Sequence, residues 1–201
     1  MKRKITGILI IFTLILSVGC SSKDTNEVSD AGNTSQVVSN NSEEKIYEIH
    51  EELLPKVRAV FEEYGLELEE YPQIDNKYYT GIEGISFETF DDTNHGDIGL
   101  ARYKVAMSEG KAINVYADLF LDVEPDKIKE NGFKIEDSIF AAVDKVMGNE
   151  DVDYTEINEE IKEAYNTGGN LYTTREYGNI SCSVTADGDL LSYTITVNPE
   201  S

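Results

Sequence analysis

The chain has 201 residues, 39 of them Asp or Glu and 17 Lys or Arg, for a formal charge of −22. A field of that sign repels phosphate backbones and anionic lipid headgroups, so nucleic acid is excluded as a general partner; cations, glycans and other proteins remain. Histidine, the commonest general base, occurs only at His50 and His95, and cysteine only at Cys20 and Cys182.

The first twenty residues carry a basic start (Lys2, Arg3, Lys4), an apolar run from Ile5 to Leu16, and then Leu16-Ser17-Val18-Gly19-Cys20. A spanning helix needs roughly 20 apolar residues. The stretch from Ile5 to Val18 is shorter, is interrupted by Thr6, Gly7, Thr13 and Ser17, and has no positive stop-transfer cluster after it. This pattern resembles the secretion signal of bacterial lipoproteins, in which small residues precede a cysteine that receives a diacylglyceryl thioether. The resemblance implies a signal peptide over residues 1–19, cleavage before Cys20, and a mature protein on the outer side of a cell membrane. Its membrane partner is the bilayer that holds the acyl anchor. One acyl chain binds only marginally at about 0.8 kcal/mol per methylene, whereas the two or three of a mature lipoprotein anchor durably. Loss of residues 1–19 removes three basic and no acidic residues, so the formal charge becomes −25. It also leaves Cys182 without a disulfide partner, and the alternation Ile180, Cys182, Val184 predicts a buried thiol that packs as a small hydrophobe.

Residues 20–42 comprise the lipidated cysteine and a Ser-, Asn-, Asp- and Thr-rich segment with almost no apolar periodicity, which reads as a disordered tether. Random-coil scaling gives it a span of about 25 Å, and full extension about 70 Å. Residues 43–201, about 160 residues, suffice for one domain with its own core.

Ser42 is a natural N-cap, with Glu43 and Glu44 suited to the first turn. Ile46, Ile49, Leu53, Val57, Val60, Phe61 and Tyr64 then form one stripe of a long amphipathic helix, which Pro55 should kink and Gly65 should end. Period-two alternation follows. Leu66 and Leu68 predict a first strand, Ile85 and Phe87 a second, and Tyr103, Val105 and Met107 a third before the turn Ser108-Glu109-Gly110-Lys111. The fourth is the clearest: Ile113, Val115, Ala117, Leu119, Leu121 and Val123 form one face, Asn114, Tyr116, Asp118, Phe120 and Asp122 the other, and Pro125 closes it.

Ile139, Phe140, Val143, Val146 and Met147 predict a second helix that ends near Gly148. A third starts at the capping box Asp153-Tyr154-Thr155-Glu156 and runs through Ile157, Ile161 and Tyr165 to Gly168. A three-stranded meander completes the chain, with tight turns at Gly178-Asn179 and Asp187-Gly188. Ile180, Cys182 and Val184 share one face, as do Leu191, Tyr193, Ile195 and Val197. The fold class is therefore α+β, a single domain with helices packed on an antiparallel sheet. The element order resembles that of small helix-on-meander folds such as the cystatin-like class or tandem inhibitor-like domains. The turn at residues 108–111 before Ile113 and Val115 also echoes the turn at 186–189 before Leu191 and Tyr193.

No catalytic or cofactor motif stands out, and no cofactor is predicted. His50 lies at the edge of the helix stripe and reads as a packed or surface residue. The loop Asp91 to Asp97 invites a calcium reading, but Thr93, His95 and Arg102 occupy the third, fifth and twelfth positions of an EF-hand pattern. A weak calcium module is one alternative. Another is a cell-wall hydrolase using paired carboxylates, drawn from Glu62-Glu63, Glu69-Glu70 or Glu159-Glu160. The candidate binding surface is aromatic: Tyr71, Tyr78 and Tyr79 fall in a segment without clean periodicity, and tyrosine offers a large rigid contact with a polar tip. Tyr116 and Phe120, on the less apolar face of the fourth strand, are either covered by helices or form a second exposed patch. These features together predict a lipid-anchored extracytoplasmic binding or accessory protein, its ligand an envelope protein, a glycan or a cation.

Overall fold

One apolar stripe organises the first helix, α1 (Thr34–Glu63). Among the described side chains of α1, Ile46, His50, Leu53, Val57, Val60 and Phe61 are buried, at spacings of four and three up to Val60, with Phe61 four after Val57. The computed structural model describes residues 34–70, 73–74, 78–79, 81–85, 90–91, 96–150 and 152–200. Helix starts at Thr34, so Ser42, expected as the cap, lies inside it. Extending an existing helix needs one backbone bond per residue, which lets this polar segment continue the turns that the packed stripe nucleates. Pro55 does not divide the helix either. It is exposed, so the carbonyl one turn earlier, deprived of its amide partner, faces water.

Past α1 come β1 (Glu67–Glu70), β2 (Gln73–Ile74), β3 (Tyr78–Tyr79), β4 (Gly81–Ile85), β5 (Phe90–Asp91), β6 (Gly96–Ser108) and β7 (Lys111–Val123). Pro125 does more than close β7. It occupies the first turn of a short helix, α2 (Pro125–Asn131), which the sequence reading did not include. A 3-10 turn (Ile135–Asp137), α3 (Ile139–Val146) and α4 (Thr155–Thr167) follow, then β8 (Leu171–Tyr177), β9 (Ile180–Asp187) and β10 (Leu190–Val197). Ser138 caps α3 by accepting from Phe140 N at 3.1 Å. At α4 the expected capping box does not form: the N-cap position is Tyr154, which makes no side-chain cap bond, Asp153 just before it accepts from Thr155 N at 3.0 Å, and Glu156 lies 3.6 Å from Arg175.

All pairings are antiparallel, in the order β1-β4-β6-β7-β10-β9-β8, with β5 also on β6 and β2–β3 as a separate pair. The α-helices pack on one face of the large sheet, as the α+β reading requires. Val115, Leu119, Leu121, Tyr193 and Ile195 point into this layer and are buried. Ile113 does not join them. A bulge shifts the β6–β7 register from Ala106↔Asn114 to Met107↔Ala112, so Ala112 takes the buried position and Ile113 is 45% exposed.

The order helix-then-meander occurs twice: α1 leads to β4, β6 and β7, and α4 leads to β8, β9 and β10. The last strands of the two units pair antiparallel at the centre, with Ala117 opposite Ile195. The turns that echo each other in sequence precede these two strands, in corresponding hairpins. Their backbones differ, since Glu109 (φ 52°) and Gly110 (φ 78°) are both left-handed, whereas only Gly188 (φ 64°) is so in the second. The resemblance between the units thus lies in topology rather than turn geometry.

Candidate functional site

The sheet face opposite the helices is built of strand residues whose neighbours in the chain point into the core. Register places Thr174, Ser183, Thr194, Asp118, Arg102 and Glu83 in one row across it. A parallel row runs Tyr172, Thr185, Ser192, Phe120, Leu100. Hydroxyls dominate the β8–β10 half, where Thr174 and Ser183 lie 2.9 Å apart. At the centre, Asp118 accepts from Thr194 Oγ1 at 2.7 Å and from Arg102 Nη2 at 2.8 Å. The Arg102 guanidinium also lies over the Phe120 ring at 5.4 Å, and Lys104 Nζ lies 5.7 Å from the Tyr116 centroid. Among the described residues no helix covers Tyr116 or Phe120. Cations from the adjacent strand cap them instead, which removes their faces as stacking platforms. Tyr172, on the edge strand β8, is 76% exposed and offers an uncapped ring.

A different polar centre lies under the helices. Asp144 of α3 is buried and accepts from Tyr193 Oη at 2.5 Å and Tyr154 Oη at 2.7 Å, both at Oδ2. Cys182 Sγ lies 3.5 Å from Oδ1 and accepts from Asn149 Nδ2 at 3.4 Å. Phe140 stacks on Tyr193 with ring centroids 5.0 Å apart. Burial raises the Asp144 carboxyl above the usual aspartate range, against the hydrogen bonds that favour its charge. Burial and the nearby carboxylate also raise Tyr193 and Tyr154, and push the Cys182 thiol up to about 12. Such a thiol is protonated and inert at neutral pH, as its alternating strand position suggested. Asp144 went unnoticed in the sequence reading. It lies four residues after Phe140 and next to Val143 on the α3 stripe, and an acid in an apolar stripe is the available signal.

His50 packs against Tyr103 with near-parallel rings and its Nδ1 3.3 Å from Tyr103 Oη, a core role rather than a surface one. The acid pairs are dispersed. Glu62 and Glu63 end α1; Glu70 accepts from Arg58 and Glu160 from Arg175, each at 2.6 Å. Neighbouring residues of a helix or strand point in different directions, so adjacency does not create a facing pair. A groove of about 340 Å³ lies between α1 and the β8–β9 turn, lined by Lys45, Ile49, Glu52, Asn179 and Val197. Among the described residues no three His, Cys, Asp or Glu side chains gather as metal ligands would.

Of the residues singled out from sequence, Cys20, Tyr71 and His95 lie outside the described residues. Tyr78 and Tyr79 form β3 and pair with Ile74 and Gln73 of β2, a strand pair separate from the large sheet. Asp91 and Asp97 fall on β5 and β6, and residues 92–95 of the calcium-like loop lie outside the described residues. Comparison with protein-family models, curated proteins and solved structures finds no match to this chain.

Proposed function

We propose that the protein is a lipid-anchored binding or accessory protein on the extracytoplasmic face of a bacterial cell membrane. The observation that carries this reading is Leu16-Ser17-Val18-Gly19-Cys20 behind a basic start and a short apolar run. Cys20 would carry the acyl anchor, and Tyr71, Tyr78 and Tyr79 remain candidates for the contact surface. The open sheet face adds a second candidate: its hydroxyls, the Arg102–Asp118 pair and exposed Tyr172 suit polar recognition of a protein or glycan. A formal charge near −25 after cleavage favours a neutral or cationic ligand over an anionic one.

The test is metabolic labelling with a fatty-acid analogue, followed by crosslinking of intact cells and identification of captured proteins. Label on the wild type but not on Cys20→Ala, with an envelope partner captured only by the lipidated form, is the expected result. Absence of label from the wild type would refute the anchor. Turnover of a wall substrate by the purified protein, abolished by a single carboxylate change, would replace binding with hydrolysis.

A further inference from the structure

We propose that Asp144 is a proton-operated latch, which on taking up a proton loses a desolvated charge and so stabilises the packing of α3 against the start of α4 and the β9–β10 hairpin, although each tyrosine bond by itself is stronger to the charged form. The geometry leaves a place for that proton. Both tyrosine hydroxyls donate to Oδ2, while Oδ1 has the long thiol contact at 3.5 Å, and the Asn149 amide also acts on the carboxyl. A proton on Oδ1 can point at Cys182 Sγ, a weak acceptor, without breaking either tyrosine bond. The carboxyl can thus change charge inside a closed core with its two short hydrogen bonds retained.

Among the described residues, no cation is bonded to the carboxyl. Tyr154 faces the carboxyl from the start of α4, Cys182 from β9, Tyr193 from β10 and Asn149 from the loop after α3. Tyr177 of β8 feels both Asp144 and Cys182, with Arg175 and Asp153 acting on it from farther out. The buried imidazole of α1, His50, is engaged with Tyr103, and Lys145 of α3 is exposed. Every group bonded to Asp144 is a neutral donor, so ionisation leaves a desolvated negative charge. Half-buried Tyr154 is the side of the centre nearest solvent and the natural route for the proton.

The sign follows from linkage. A carboxyl whose folded value lies above its unfolded one makes the native state bind more protons between the two values. Its contribution to stability is greatest below the unfolded value, about 4, and declines as pH rises through the folded value. Acidification from neutral pH therefore tightens the latch.

The direct test is a carbon-13 NMR titration of the Asp144 side-chain carboxyl in the full-length chain, with melting temperatures at matched ionic strength for wild type, Asp144→Asn and Tyr154→Phe. Asp144 should titrate at a higher pH than an ordinary aspartate, and amide protection around residues 154–157, corrected for the intrinsic rise of exchange with pH, should fall as pH rises through the same interval. Tyr154→Phe removes a bond to the charged form and should move the midpoint to higher pH. The melting-temperature difference between wild type and Asp144→Asn should vary with pH across that interval. Titration at or below the ordinary value, an unmoved midpoint in Tyr154→Phe, or a pH-independent difference would each overturn the latch. The wild-type titration decides the matter even if Asp144→Asn fails to fold.

Discussion

Tyr193 and Thr194 are neighbours on β10, and each donates to a different aspartate on opposite sides of the same sheet. On the helix side, Asp144 meets two tyrosines and a thiol with water excluded. On the open side, Asp118 is also buried, but it meets a threonine and the part-exposed Arg102 guanidinium. One residue step along a strand therefore separates a sealed, cation-free carboxyl from a paired one. Side-chain alternation turns a single strand into the support of two chemically distinct centres. Both carboxyls are buried, and the Arg102 guanidinium beside Asp118 is what distinguishes them.

The sharpest way to break that contrast is Tyr193→Ala, which removes a fully buried ring stacked on Phe140 together with a hydrogen bond. A loss of about 3–5 kcal/mol is expected from denaturant unfolding. Tyr193→Phe keeps the ring and deletes only the hydroxyl, and should cost about 1.5–3 kcal/mol near neutral pH, where the accepting carboxyl carries more charge, and less in acid. On the other side, Asp118→Asn breaks an ion pair whose carboxylate is largely buried and whose guanidinium is part exposed. Its cost should be about 1–2 kcal/mol, between the surface and fully buried cases, and should shrink as salt is added. Equal losses for the Tyr193→Phe and Asp118→Asn variants at all salt concentrations would erase the distinction between the two faces.

Tyr172→Ser should be the mildest change, within about 0.5 kcal/mol of wild type in stability, because the ring is exposed on an edge strand. Any loss of partner capture by that variant would then report binding rather than folding. Thiol labelling offers a further check on the sealed side: Cys182 should react only as fast as the domain opens, and rapid labelling of the native protein would show access to the Asp144 centre.

Much of this architecture was legible in periodicity. The β7 alternation, the α3 and α4 stripes and the closing meander are local patterns, and each forms close to where its residues predict. The two meander turns are two-residue loops at Gly178-Asn179 and Gly188-Asp189, the second set one residue beyond the expected Asp187-Gly188 by the pairing of Asp187 with Leu190. α2 was missed because Pro125 serves both to end a strand and to begin a helix, and the sequence reading took only the first. Ile113 was misplaced because a bulge changes strand parity, and bulges depend on the partner strand's register. The candidate sites were less legible. The row Thr194, Asp118, Arg102 draws on three strands, with β10 paired to β7 across an intervening set of helices. Asp144 shares a helix stripe with apolar residues, and of its partners Cys182 and Tyr193 lie 38 and 49 residues downstream, while Tyr154 directly precedes α4.

By itself, the sequence determined most of the local preferences: the main helical and extended segments, which face of each is apolar, roughly where the closing turns fall, and that the molecule is strongly acidic. These follow from backbone sterics and hydrophobic period, which act between residues a few positions apart. Only the tertiary structure decided that β7 and β10 meet at the centre, that Ala112 rather than Ile113 turns inward, and that one buried aspartate meets only neutral donors while another is paired with Arg102. Those outcomes depend on pairing register and on burial by distant elements, and burial is a property of the packed whole.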